Sequence, residues 1–473
     1  MKPLRHVALF IVYGALAILI AAVAAYVSYL QDRGDLRPWH SAHLDAEFTA
    51  AKRDDVRTLD DYRRLEDRLF EQLRSKVYEK TASLDRSIIN RYWSGSLADS
   101  TEYPKNWNRT FELDATPARG GVLLLHGMSD SPYSLRALGE RLNQLGFQVV
   151  GLRLPGHGTA PSGLVHATWQ DLAAATRLAA RHLRNRIGSE VPLYLVGYSN
   201  GAALAVEYAL ARLQGEDLPK VDGLILLSPA VGVGRVAAFA SWQAQLGKIP
   251  GLEKLAWNSL TPEYDPYKYA SFAVNAGDQV YQLTRVIDQR MTELAGTEGI
   301  SGMPPVLAFQ SVADATVSAP AVVDVLFQRL THGGHELVAF DINRNTEVDV
   351  LMRPGAAPGV KQLLEGPPLP FELTVLQNAS PDSEAIVAVR RASGETALTQ
   401  VETGLRWPLE VFALSHVALP FPPDDPIYGA HPPRTPTAIY LGRPDLLGER
   451  GLLAVPAADL LRLRFNPFYS YLE

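Results

Sequence analysis

Leu193-Tyr194-Leu195-Val196-Gly197-Tyr198-Ser199-Asn200-Gly201-Ala202-Ala203-Leu204 is the stretch on which the fold turns. A short apolar run rich in β-prone residues leads directly into a segment, Asn200 to Leu213, made mostly of helix formers. Strand and helix must therefore join across Tyr198-Ser199 without an intervening loop. So sharp a turn strains its central residue and leaves no space for side chains two positions to either side, where Gly197 and Gly201 stand. A hydroxyl carried by the central residue is lifted clear of the sheet.

Outward from this turn, short apolar runs alternate with helical patterns. Gly121–His126, Gln148–Leu154, Val191–Gly197 and Val221–Leu227 read as strands, and Ser131–Leu145, Thr168–Arg186 and Asn200–Leu213 as helices. The runs are continuously apolar rather than alternating, as in strands covered on both faces of a parallel sheet. The pattern predicts an α/β fold, a mostly parallel, doubly covered sheet. The aromatic-rich stretch of about 231–302 interrupts the rhythm and reads as a cap over the site. The rhythm resumes with strand Val306–Phe309, helix Ala319–Leu330 and strand Glu336–Ile342. A second irregular insertion is expected at about 343–405, before a final apolar run, Leu409–Leu414. The catalytic domain is thus placed at 116–473.

Upstream, residues 31–115 are densely charged. Tyr62, Leu65, Leu69, Leu73 and Val77 form one stripe at helical spacing, and Thr58 with Asp61 resembles a capping box. A helical extension packed on the body is expected. Residues 1–30 differ again. Val7 to Leu30 holds no charged residue, long enough as a helix to span the ~30 Å hydrocarbon layer. This predicts a single-pass transmembrane anchor. A cleaved signal peptide, with Ala22-Val23-Ala24 as its processing site, is the alternative. Both readings export the body to the periplasmic or extracellular side.

Composition narrows the chemistry. The net charge of −6 and pI near 6.0 argue against nucleic acid as a partner. The chain has no cysteine, which removes thiolate catalysis and thiolate metal sites. No phosphate-cradling glycine loop or HExxH pattern occurs, and no cofactor or metal is expected. Asp424-Asp425 reads as a pair of solvated acids.

A serine in such a turn needs a base, and the base needs an orienting acid. Asp314 lies just past the Val306–Phe309 strand, where the acid of a Ser–acid–His order belongs. Among the later histidines, His332 and His335 precede a strand and belong to the wrong sheet end, and His431 follows no strand. His416 follows the Leu409–Leu414 run and is the preferred base. His126-Gly127-Met128 ends the first strand, so a backbone N–H there can join that of Asn200 in an oxyanion hole. His126 and His157 read as loop-ordering residues.

The His126-Gly127 turn, the Arg153-Leu154-Pro155-Gly156-His157-Gly158 segment and the Gly197–Gly201 elbow resemble the α/β-hydrolases of the monoacylglycerol lipase, carboxylesterase and serine aminopeptidase group. The resemblance spans about 119–230 and 303–342. It implies an α/β-hydrolase fold, with Ser199 as nucleophile, Asp314 as acid, His416 as base, and Met128 and Asn200 as oxyanion donors. The chain departs from the group in having Asn200-Gly201-Ala202 where Met-Gly-Gly is common, and in the long separation of His416 from Asp314. The expected activity is a membrane-anchored esterase or lipase acting on a small-molecule or lipid ester. A peptidase or acyltransferase on the same triad, or a non-catalytic anchored binding protein, are the alternatives.

Overall fold

The computed structural model describes residues 2–31, 34–81, 85–232, 243, 247, 249, 251–296, 299–312, 314, 316–331, 333–341, 359–407, 414–433, 439–443 and 462–473. Its centre is a ten-stranded sheet. In chain order the strands are β1 (Phe111–Leu113), β2 (Gly120–Leu125), β3 (Phe147–Leu152), β4 (Leu193–Tyr198) and β5 (Gly223–Leu227). A separate hairpin of β6 (Trp257–Ser259) and β7 (Phe272–Ala273) follows. The sheet continues with β8 (Val306–Ser311), β9 (Glu336–Asp341), β10 (Glu372–Asn378), β11 (Ala385–Arg391) and β12 (Leu398–Arg406). Spatially the order is β1-β3-β2-β4-β5-β8-β9-β10-β11-β12. From β3 to β10 every pairing is parallel, and the antiparallel strands lie at the two edges.

The period-2 geometry of a strand explains the two cores. In β2, Leu123 and Leu125 enter one core, while Val122 and Leu124 enter the core on the other face. The first face is covered by α4 (Trp169–Ile187), α5 (Asn200–Leu213) and α6 (Val274–Ala295), after α1 (Lys2–Gln31), α2 (Leu59–Lys76) and α3 (Arg136–Gln144) in chain order. On the opposite face α3 packs on β3, with Trp407, Leu414 and Phe468 filling the same core.

Helix α2 forms as its stripe predicts. Thr58 and Asp61 cap it reciprocally, and Tyr62, Leu65, Leu69 and Leu73 are buried in the same core as Leu154 and Leu172. The extension does more than pack. β1, not recognised in the sequence, adds an antiparallel edge to the sheet, and the Phe111 ring lies against Gly151, where a Cβ would come within 2.2 Å of it.

Three expectations are corrected. Of the expected 343–405 insertion, residues 343–358 lie outside the described residues, and 359–405 are not irregular: α7 (Gly359–Glu365) is followed by three strands that extend the sheet. In β10, Leu373 and Val375 enter one core and Leu376 the other; β12 is polar because it is the exposed edge, which hid its strand character. The 231–302 stretch is only partly a cap. α6 packs against α5 and buries Leu283, Ile287 and Met291 in the main core, whereas Tyr267 and Tyr269 lie near the turn after β2; residues 233–242 lie outside the described residues. Asp425 is not solvated. Its carboxylate is buried and accepts from the Tyr133 hydroxyl and the Ile427 and Tyr428 amides.

Helix α1 forms over Lys2–Gln31, with Phe10, Ile11, Val12, Ile18 and Ile20 exposed. Over the described residues, no helix is long and apolar enough to cross a membrane. A transmembrane α1 therefore rests on the uncharged Val7–Leu30 sequence alone.

Candidate active site

Ser199 sits between β4 and α5 at φ 56° and ψ −116°, a left-handed conformation that a non-glycine residue adopts only under constraint. The constraint is visible in its neighbours. A Cβ on Gly201 would lie 2.0 Å from the Leu125 carbonyl oxygen, and one on Gly197 would lie 2.4 Å from the Ala202 amide nitrogen. The Ser199 N–H donates to the Leu227 carbonyl at 2.8 Å, and its carbonyl accepts from Ala230 N–H at 3.1 Å. Neighbouring strand ends thus hold the elbow in place. Among the described residues only Ser129 and Ser228 share a positive φ without being glycine; Ser129 follows Met128, and Ser228 ends β5 beside the elbow.

The turn after β2 comes against Ser199. A Cβ on Gly127 would stand 3.2 Å from the Ser199 Cβ, so Met128 and Asn200 flank the same point. Asn200 N–H begins α5, where no intrahelical acceptor is available. His126 is buried and positions this turn: its Nε2 accepts from Leu154 N–H at 3.0 Å. Burial, reinforced by the neighbouring His157, holds the His126 imidazole well below its ordinary pKa and therefore neutral. His157 Nδ1–H donates to the Pro155 carbonyl at 2.9 Å. Both histidines serve as loop-ordering groups.

Asp314 and His416 come together. His416 Nδ1 is 2.7 Å from Asp314 Oδ2, and both side chains are buried. The other carboxylate oxygen accepts from Thr316 and Val317 N–H at 2.8 and 3.0 Å. Burial pushes the Asp314 carboxyl up, but the His416 bond and charge with these two amides outweigh it and hold the group below the usual range. His416 lies on Tyr198, with ring centroids 5.2 Å apart, and Tyr198 Oη donates to the His416 carbonyl at 3.2 Å. Because Tyr198 immediately precedes Ser199, this contact brings the Asp314–His416 pair to the elbow. Residues 408–413, which hold most of the apolar run expected before His416, lie outside the described residues, as does His332. His335 is at the opposite sheet end, where Nδ1 accepts from Val306 N–H at 3.2 Å.

A family model described as serine aminopeptidase, S33, matches residues 116–341, which run from the strand before the His126 turn through the Ser199 elbow to β9. The chain belongs to the α/β-hydrolase superfamily. It is a serine hydrolase. The thermostable monoacylglycerol lipase of Bacillus sp. (strain H-257) is 26% identical over 218 residues, covering 46% of this chain and 79% of that lipase. Among solved structures, a Paleococcus ferrophilus monoacylglycerol lipase is 22% identical with a TM-score of 0.36, covering 51% of this chain and 93% of the other. A soluble variant of a Saccharomyces cerevisiae monoglyceride lipase is 14% identical with a TM-score of 0.37, covering 49% and 80%.

This α/β-hydrolase carries site residues that the sequence pattern did not single out. Gln310, at the end of β8, donates from Nε2 to Asp314 Oδ2 at 3.1 Å. Asp130 is buried beside the Gly127 turn and pairs with Lys268 at 3.2 Å; burial raises its pKa against that cation. Arg153, 1% exposed, is held by Glu66 at 2.9 Å and Glu47 at 2.8 Å, and Glu47 also accepts from Gly156 N–H at 2.9 Å. The two glutamates belong to the N-terminal extension, so the extension clamps the Arg153–Gly158 loop. Tyr198 and Gln310 could have been sought at strand ends beside Ser199 and Asp314. The Arg153 partners left no local signal. Among the described residues no cluster of His, Asp and Glu could hold a metal.

Proposed function

We propose that this chain is a membrane-anchored carboxylic ester hydrolase that works through an acyl-enzyme on Ser199. His416 removes the Ser199 hydroxyl proton as Oγ attacks the ester carbonyl, and Asp314 holds the imidazole by Nδ1 and stabilises its cation. The oxyanion forms against the Met128 and Asn200 amides. His416 then protonates the departing alcohol, and afterwards activates the water that releases the acid. The observation that carries this reading is the Asp314–His416 pair seated on Tyr198, next to the strained Ser199.

The ester preference draws support from the names of the relatives, which are lipases, and a lipid ester suits an anchored enzyme. The uncharged Val7–Leu30 run is the ground for anchoring by α1, with the body exported. The S33 description keeps a peptidase in view, since an acyl-enzyme can serve amides as well as esters. The test is fluorophosphonate labelling of the full-length protein beside hydrolysis of acyl esters and aminoacyl anilides. Labelling and ester turnover, both lost in Ser199→Ala, are expected. Undiminished ester turnover in that variant overturns the assignment.

A further inference from the structure

Asp130 has no part in the acyl-transfer steps above, yet its carboxylate is buried at the catalytic centre. The residue closes the turn after β2, its N–H donating to the Gly127 carbonyl at 3.2 Å. A Cβ on Gly127 would stand 3.1 Å from Asp130 Oδ2 and 3.2 Å from the Ser199 Cβ. The carboxylate therefore lies on the same glycine that faces the nucleophile. Burial opposes its ionisation and Asp265 adds to that, while Lys268 and His416 favour it.

The partner comes from the loop between β6 and β7. Lys268 Nζ is 3.2 Å from Asp130 Oδ2, and the next residue, Tyr269, donates its N–H to the Ser129 carbonyl at 2.8 Å. Two consecutive loop residues thus grip two consecutive residues of the turn, one by charge and one by backbone. The turn needs such support, because Ser129 holds φ at 64° without being glycine. The loop is itself fixed. The Lys268 carbonyl accepts from Arg91 Nη1 at 3.2 Å, and its N–H donates to Asp265 Oδ1 at 3.0 Å. Tyr269 Oη accepts from Thr159 N–H at 2.7 Å.

Stability alone is a weak reason for a buried ion pair, since apolar side chains of similar volume often serve as well. The reaction supplies two stronger ones. An oxyanion hole works because its donors are fixed before charge develops. An unpaired carboxylate beside it would also repel that charge, and the Lys268 ammonium offsets the repulsion. Resting on the Ser199 reading above, we infer that Lys268 is a positioning residue for the oxyanion hole. Through Asp130 it holds the Gly127–Asp130 turn, and with it the Met128 N–H, in the arrangement that receives the developing oxyanion.

The experiment uses the detergent-solubilised full-length protein, with active sites counted by fluorophosphonate titration. kcat and KM for p-nitrophenyl butyrate are measured beside Ki for an alkyl trifluoromethyl ketone, to which a catalytic serine adds to give a bound oxyanion. Lys268→Met should lower kcat per titrated site by about tenfold or more. KM should stay nearly unchanged, and inhibition by the ketone should weaken by the same factor as kcat. Lys268→Arg should restore most of both. Lys268→Gln, close in length and still a donor, is the milder variant and should show the same pattern at severalfold. Asp130→Asn should also lose kcat. Lys268→Met/Asp130→Asn should lose no more than the worse single variant, because both act through one contact. Unchanged kcat in Lys268→Met and Lys268→Gln overturns the inference. So does a loss carried by KM with kcat intact, losses that multiply in the double variant, or a Lys268→Arg no better than Lys268→Met. A wild type that labels while Lys268→Met turns over normally removes only this inference. A wild type that does not label removes the Ser199 reading and this one with it.

Discussion

His416 Nδ1 lies 2.7 Å from Asp314 Oδ2 although 102 residues separate them in the chain. The contact leaves Nε2 as the ring atom available to Ser199, and it fixes which histidine should matter. His416→Ala should lower ester turnover by about three orders of magnitude or more, because the serine hydroxyl is a poor nucleophile without proton removal. His335→Ala removes only the acceptor of Val306 N–H at the far end of the sheet and should retain most turnover per folded molecule. Kinetics of both variants beside their melting temperatures decide the matter; a dead His335→Ala with normal stability contradicts the assignment.

The elbow glycines should tolerate no side chain. In Gly201→Ala the new methyl would have to occupy space 2.0 Å from the Leu125 carbonyl oxygen. Both partners are backbone, so neither can rotate away. We expect loss of fluorophosphonate labelling and a lower melting temperature together. Gly215→Ala is a control, since its Cβ would meet nothing within 4 Å, although a φ of 95° adds modest strain there. Normal labelling of Gly201→Ala would argue against the tight turn.

The clamp on the Arg153–Gly158 loop should be a stability element. Arg153→Met leaves Glu47 and Glu66 without their common cation in a buried setting. Stranding buried charge in this way typically costs about 3–5 kcal/mol. Chemical denaturation should show a loss of that order, part of which returns in Arg153→Met/Glu66→Gln. Equal stability of Arg153→Met and wild type is the contrary result.

Acid should destabilise the protein through its buried neutral imidazoles. Burial lowers His157 to about 4, and lowers His40 to about 3 with help from Arg37. The unfolded histidine binds a proton near pH 6.5, so between about 6.5 and 4 the unfolded state holds more protons than the folded one. The His157 contribution is therefore complete above that window and lost as the pH falls through it, about 3 kcal/mol at the low end. His157→Asn should show a smaller drop in melting temperature between pH 7 and pH 4.5 than the wild type. Parallel drops would remove His157 from the account.

Removal of residues 1–33 should release an active body from membranes, since α2, β1 and the Arg153 clamp all lie beyond that segment. Fractionation with a high-pH wash checks this. A truncated protein that stays with membranes points to a second attachment.

How much was legible in the sequence follows the range of each interaction. The apolar runs of β2, β4 and β5, the Thr58–Asp61 cap and the steric demand for Gly197 and Gly201 are settled within a few neighbouring residues, where side-chain periodicity and turn sterics act. Those features by themselves determined a parallel α/β sheet with a strained serine at a strand's end. β12 is not legible because an exposed edge strand carries no apolar pattern, and the buried stripe of α6 does not say what it packs on. Only the tertiary structure decided that Glu47 and Glu66 meet Arg153, that Asp425 is buried under Tyr133, and that His416 rests on Tyr198 beside Asp314. Each of these joins residues tens to hundreds of positions apart. Such a pairing is selected by how the chain returns across the sheet, and the packing energy that selects it leaves no mark on the local sequence of either partner.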